Sequence, residues 1–197
     1  TVQPPDGAVH VVIGDVCGHG PDEAALGAAL RIAWRALVLA GHTGNDLLRT
    51  LDTVLRNERK SSEIFTTLCT ATIDPALHQA SMHVAGHPPP VLVAGGTVQI
   101  VEGAPSGPPL GIFSDVDWHT IDVTLGDEWS LLLYTDGLIE ATVNAARDPL
   151  GTDGLVRLVR EQGVIDLERL IAQVKELHKE DLSDDLAAVL LSRRRRR

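Results

Sequence analysis

The sequence predicts an α+β fold, an antiparallel β-sandwich flanked by helix pairs in four layers ordered α-β-β-α. Three observations carry that reading. Segments of helical period are segregated into two pairs. About six strand-like runs stand between the pairs, and one more strand lies at each end. Several of those runs are joined by turns too short for a crossover, so they read as antiparallel hairpins.

Taken in order, Thr1–Gly7 is a turn or chain end, broken by Pro4, Pro5, Asp6 and Gly7. Ala8–Gly14 is a β-branched run and reads as a buried strand. A loop with Gly14, Gly18 and Gly20 follows, and Pro21, Asp22 and Glu23 open a helix. Proline suits the first helical position, and acids suit the positive end of the helix dipole. That helix runs to about Ala40, and its alanines allow close packing on a sheet. A second helix spans about Asn45–Arg59, with Leu47, Leu48, Leu51, Val54 and Leu55 at helical spacing. Strands are expected at Thr66–Ile73, Gln79–Ala85, Val91–Ala94, Thr97–Val101, Trp118–Val123 and Ser130–Tyr134. Helices follow near Asp153–Gln162 and Asp166–His178, and a last strand at Leu186–Leu191.

The 197 residues suffice for one domain, expected over residues 1–192, with a basic tail at 193–197. A 44% hydrophobic content marks a folded chain rather than a disordered one. The formal net charge of -10 disfavours nucleic acid or an anionic membrane as the main partner. Arg193–Arg197 runs against that balance and reads as a solvated tail rather than a docking element. Cys17 and Cys69 form no CxxC pair, which argues against structural zinc and for a reduced, cytoplasmic protein. No apolar stretch reaches the roughly 18 residues of a membrane helix, and the first residues do not read as a signal peptide.

One pattern recurs in three places: an apolar strand with a carboxylate at its end. Asp15 follows Val9–Gly14, Asp136 follows Leu131–Thr135, and Asp184 and Asp185 precede Leu186–Leu191. If the last strand runs antiparallel to the other two, these carboxylates meet at one edge. Carboxylates brought together repel unless a cation joins them, and oxygen-only ligands favour Mg²⁺ or Mn²⁺. Two such ions, about 3.5–4 Å apart, acidify a shared water and neutralise a phosphate. Against this stands the ordinary use of Asp at strand ends and in Asp-Gly turns. The pattern alone leaves both readings open.

The residues then point to a family. The segment GDVCGHG at Gly14–Gly20, with the alanine-rich helix behind it, resembles the bacterial branch of the protein phosphatase 2C (PPM) family, typified by the sporulation stage II E phosphatase. FTTLCTATID (65–74), AGHPPPVLV (85–93), GPPLGI (107–112), LLLYTDGLIEA (131–141) and SDDLAAVLL (183–191) match in the same order. The resemblance covers about Val9–Leu191. It implies a metal-dependent protein serine/threonine phosphatase in which water activated by Mn²⁺ or Mg²⁺ is the nucleophile, with no phospho-enzyme. It implies that Asp15 bridges two ions, with the backbone carbonyl of Val16 on one, and that Asp136 and Asp184 complete the first site. Asp185 falls where relatives often have Asp or Asn and ranks below Asp184. The implied substrate is a phosphorylated anti-sigma-factor antagonist, and an upstream sensor domain is expected. Self-association as a homodimer is left open.

Relatives carry a further acidic motif, Gly-Gly-Asp-x-Tyr-Asp, on a strand before the one ending at Asp15. This chain begins at Thr1 and does not contain it; Asp6, in a Pro/Gly turn, is a poor substitute. The expectation is a fragment with its first strand missing and its second ion site in doubt. The alternative function is a catalytically impaired binding or regulatory module in partner-switching signalling. Among other candidates, His19 reads as loop-ordering, His87 as structural, Cys17 as a small buried residue, and Glu140 as solvated or capping. Trp34, Trp118 and Trp129 read as core or interface residues.

Overall fold

β-Branched residues dominate Val9–Val16, and this run forms strand β1, with Val11 and Ile13 buried. The computed structural model describes residues 1–102, 107–142, 148–177 and 186–194; Asp184, Asp185, His178 and Arg195–Arg197 lie outside them. Among the described residues the order is β1, α1 (Pro21–Leu39), α2 (Gly44–Glu58), β2 (Thr66–Ile73), β3 (Gln79–Ala85), β4 (Val91–Ala94), β5 (Thr97–Ile100), β6 (Ile121–Thr124), β7 (Trp129–Tyr134), α3 (Gly151–Gln162), α4 (Leu167–Leu177) and β8 (Ala188–Arg193). This is the expected α+β class: two antiparallel four-stranded sheets and two helix pairs. The chain divides into two compact units, the first made of 1–87 and 102–124, the second of 88–101 and 125–197.

In the first unit the strand order is β1-β2-β3-β6. Helix α1 buries Leu26, Leu30, Trp34 and Val38, every fourth residue, and α2 buries Leu47, Leu48, Leu51 and Leu55. These side chains pack with Leu68, Leu110 and Trp118 into one core. Each fully buried leucine contributes about 1.5–3 kcal/mol from removal of apolar surface from water.

The strand expected at Trp118–Val123 begins at Ile121, so Trp118 is loop rather than strand. The core takes it instead: its ring is 2% exposed, its Nε1–H donates to the Pro108 carbonyl at 2.8 Å, and its backbone N–H donates to Asn45 Oδ1 at 2.7 Å. A Cβ on Gly107 would stand 2.3 Å from the Trp118 ring, so only glycine fits there. Gly86 is under a similar constraint. Its φ of 66° favours glycine, and a Cβ would lie 2.4 Å from Pro109. Its N–H donates to the Gly107 carbonyl at 2.7 Å. Two of the segments quoted above, 85–93 and 107–112, thus meet at a backbone-to-backbone contact.

In the second unit the strand order is β5-β4-β7-β8. Strand β7 is buried along its whole length. Leu132 and Tyr134 pack with Leu155, Val159, Leu170 and Val174 of α3 and α4.

Two histidines on the first sheet are held neutral. Burial lowers the pKa of His10, with Asp6 partly opposing, and lowers that of His83, with Asp122 partly opposing. His10 Nδ1 shares a hydrogen bond with Thr72, and His83 Nε2 with Thr120, each at 3.0 Å. Depressed folded-state values mean that the unfolded chain binds more protons below its ordinary value of about 6.5. The contribution of both groups is therefore fully present above about pH 6.5 and declines as pH falls toward their folded values. Urea unfolding at pH 7.5 and 5.5 is expected to give lower stability at 5.5, with a smaller drop in His83→Gln. Leu51→Ala empties fully buried space, and the same measurement is expected to show a loss of about 2–5 kcal/mol.

Candidate functional site

Asp15 is the penultimate residue of β1 rather than the residue after it. The ladder with β2 continues past the expected end at Gly14, pairing Asp15 with Thr67 and Val16 with Thr66. The Cys17 N–H extends it by donating to the Phe65 carbonyl at 3.0 Å. Completing those backbone hydrogen bonds outweighs the turn preference of Asp-rich strand ends. Asp15 is half-buried. A Cβ at Gly14 would stand 2.8 Å from the Thr67 carbonyl oxygen, a backbone atom with nowhere to go. The glycine before Asp15 is therefore demanded by the close approach of β2.

Residues paired across an antiparallel ladder share a face, so Thr67 shares the face of Asp15. The Thr67 hydroxyl is hydrogen-bonded to His87 Nδ1 at 2.9 Å, and His87 is buried. That arrangement, Thr67 opposite Asp15 with His87 behind it, was not legible from the chain. The signal that finds it is register: the Gly14-Asp15 pair set against Thr66-Thr67.

After Cys17, which is half-buried rather than buried, the loop turns through Gly18 and Gly20, with φ of 105° and 135°. Helix α1 begins at Pro21, and the Ala24 N–H donates to the Gly20 carbonyl at 3.1 Å. His19 is exposed on this loop. Asp6 sits in the expected turn, accepting the Ala8 N–H at 3.0 Å.

In the second unit Asp136 opens a single 3₁₀ turn, Asp136–Leu138, directly after β7. Its carbonyl accepts the N–H groups of Ile139 and Glu140 at 2.8 and 2.9 Å, and its Oδ1 accepts the Gly137 N–H at 3.1 Å. The carboxylate is half-buried. Glu140, one turn on, is exposed.

The chain entering β8 is clamped to the residue before Asp136. The Thr135 N–H donates to the Ala187 carbonyl at 3.0 Å, and the Ala187 N–H donates to the Thr135 hydroxyl at 2.9 Å. Strand β8 runs antiparallel to β7, with Tyr134 opposite Ala188. Its N-terminal end therefore lies beside the C-terminal end of β7, where Asp136 stands. Asp184 and Asp185 precede this end in the chain and lie outside the described residues. Among the described residues no group of three or more His, Cys, Asp and Glu side chains is arranged to hold a metal ion. Each unit by itself offers oxygen donors, the Asp15 carboxylate and the Val16 carbonyl in the first and the Asp136 carboxylate in the second, and oxygen is the chemistry that suits a hard cation.

Comparison with known proteins covers nearly the whole chain. A family model described as "Stage II sporulation protein E (SpoIIE)" matches residues 5–194. Among curated proteins the chain is 29% identical over 137 residues to the phosphoserine phosphatase RsbP of Bacillus subtilis, a match spanning 68% of this chain and 34% of RsbP. Among solved structures it is similar to the RsbU and RsbW domains of Rv1364c from Mycobacterium tuberculosis. That match has a TM-score of 0.77 and 29% identity, covering 96% of this chain and 54% of the other. The PP2C phosphatase domain of SpoIIE from Bacillus subtilis, with a fragment of its regulatory domain, matches with a TM-score of 0.75 and 18% identity, covering 95% of this chain and 58% of the other. The chain spans about a third of RsbP and about half of each of those two structures.

Gly14→Ala forces a Cβ against the Thr67 carbonyl. It is expected to lower stability by roughly 1–3 kcal/mol in chemical denaturation.

Proposed function

The chain belongs to the stage II sporulation protein E family, and on that premise we propose that it is a metal-dependent protein serine/threonine phosphatase. Its reaction is hydrolysis of a phosphate monoester: water attacks phosphorus, the P–O bond to the side-chain oxygen breaks, and inorganic phosphate leaves as the serine or threonine hydroxyl regains a proton. The observation that carries this reading is the family match across residues 5–194. The geometry of each strand end supports it. Asp15 is held at the end of β1 by an uninterrupted ladder. Asp136 stands at the end of β7 beside the chain entering β8, which the Thr135 clamp keeps in place.

The family is metal dependent. The resemblance assigns the holding of Mg²⁺ or Mn²⁺ to Asp15, the Val16 carbonyl, Asp136 and Asp184, with Asp185 as an auxiliary. When bound, such ions lower the pKa of water and neutralise phosphate charge. The chain's own part is to present carboxylates on rigid strand ends. Preorganised charge needs no reorganisation at the moment of reaction. Thr67 and His87 keep the face around Asp15 fixed, and the turn after Asp136 orients its carboxylate through the Gly137 N–H.

The substrate we assign is a phosphoserine or phosphothreonine on a small regulatory protein of the anti-sigma-factor-antagonist type, in partner-switching regulation. The name of RsbP, a phosphoserine phosphatase, and the pairing of RsbU with RsbW domains in the mycobacterial protein support that class. No helix among the described residues is long and apolar enough to cross a membrane.

The test is release of phosphate from a phosphoserine peptide and from an aryl phosphate, with Mn²⁺, with Mg²⁺ and with chelator. Metal-dependent turnover is expected, lowered by about a hundredfold or more in Asp136→Asn, with an unchanged circular dichroism spectrum. Turnover indifferent to chelator, or absent with either metal, would overturn the reading.

A further inference from the structure

Strand β2 of the first unit carries two adjacent threonines on opposite faces. Thr66 shares its face with Leu68, which packs in the core with α1 and α2. Thr67 lies on the other face, directly across the ladder from Asp15. The ladder is still intact two residues beyond this pair, where the Cys17 N–H donates to the Phe65 carbonyl. The Cβ atoms of directly opposed residues lie about 4.5–5.5 Å apart, so a hydroxyl on one and a carboxylate on the other are within reach of each other. Asp15 and Thr67 are both half-buried.

His87 shares the Thr67 hydroxyl, its Nδ1 standing 2.9 Å from Oγ1. The ring is buried, and the chain entering it is fixed. Gly86 pairs with Leu68 in a parallel bridge, and its N–H donates to the Gly107 carbonyl at 2.7 Å. A hydroxyl has one proton to give. If that proton goes to His87 Nδ1, the Thr67 oxygen offers Asp15 only lone pairs, and an ionised carboxylate accepts but does not donate. If His87 carries a proton on Nδ1 and donates it, the Thr67 O–H is left for the acceptor across the ladder.

We propose that His87 and Thr67 are positioning residues for Asp15: His87 donates Nδ1–H to Thr67 Oγ1, and the Thr67 O–H donates to the Asp15 carboxylate, orienting it for a hard cation. The inference rests on the metal-holding role proposed for Asp15 above. The carboxylate itself favours this direction of the chain, because a hydrogen bond to an ionised acceptor is roughly twice as strong as one between neutral groups. Outer partners of this kind fix the orientation of a metal-binding carboxylate, and losing one typically costs about ten- to a hundredfold in metal affinity or activity. Neither residue touches the reacting atoms; both act through Asp15.

The test begins with the metal-free chain, where a long-range ¹H–¹⁵N correlation of the His87 ring tells a protonated Nδ1 from a bare one. A protonated Nδ1 is expected. Mn²⁺ affinity is then measured from the loss of the free-ion electron paramagnetic resonance signal. Thr67→Val, which keeps the shape and removes the hydroxyl, is expected to weaken Mn²⁺ binding about tenfold or more, with an unchanged circular dichroism spectrum. Thr67→Ser, which restores the hydroxyl, is expected to recover most of the affinity. Thr66→Val removes the neighbouring hydroxyl from the opposite face and is expected to leave the affinity unchanged. A bare Nδ1 overturns the inference. So does Mn²⁺ binding that Thr67→Val leaves unchanged, or that Thr66→Val weakens as much. Absence of Mn²⁺ binding in the unaltered chain overturns the phosphatase reading as well.

Discussion

In each unit the antiparallel ladder decides where the chemistry-bearing residues stand, because its register leaves a strand end no freedom. Every backbone N–H and C=O on a paired strand must find its partner, and leaving one buried and unmet costs as much as a lost hydrogen bond. That requirement carries β1 through Asp15 to Val16, past the point where glycine and aspartate would otherwise turn the chain. It also sets Ala188 opposite Tyr134, which brings the start of β8 to the end of β7. Thr135 completes the closure with a hydroxyl that accepts from the Ala187 N–H. The backbones that carry Asp15 and Asp136 inherit their rigidity from these ladders, and the Gly137 N–H adds a hydrogen bond to the Asp136 carboxylate.

The segments shared with the family divide into two kinds by what they do physically. Gly14-Asp15 and Asp136-Gly137 put carboxylates at strand ends. The segments around Gly86 and Gly107 carry no chemistry in this structure. They let backbone pass backbone at a spacing that any side chain would block, against Pro109 in one case and Trp118 in the other. Asp52 has a comparable structural role. It accepts the Gly111 N–H at 2.6 Å and pairs with Arg56 at 2.7 Å, tying the loop after Leu110 to α2.

Most elements were legible because their periods are strong. Leu47, Leu48, Leu51 and Leu55 cannot be accommodated except as one buried helical stripe, and the run Leu131–Tyr134 has no polar face to turn to water. The failures were local and have named causes. Trp118 falls in a run expected as strand, whereas burial of a large ring with a satisfied indole N–H pulls it into the core. The end of β1 was placed too early, since the turn preference of Asp yields to a ladder partner far away in the chain. Thr67 and His87 went unpaired because nothing local links residues twenty apart. Trp34 takes the core place among the two expected of it, core or interface, yet its unsatisfied Nε1 is invisible until the neighbours of the indole are known.

By itself the sequence determined the α+β class, nearly all element positions, the acidic strand ends and, through ordered motifs, the family. Those properties are written in local period, turn chemistry and residue identity, which need no knowledge of distant partners. Only the tertiary structure decided the strand order β1-β2-β3-β6 and β5-β4-β7-β8, the pairing of Asp15 with Thr67, the close approach of β2 at Gly14 and the clamp of Thr135 on Ala187. Each of these depends on which residues from remote parts of the chain come to lie within a few ångströms. That is settled by packing and backbone hydrogen bonding across the whole unit rather than by any segment alone.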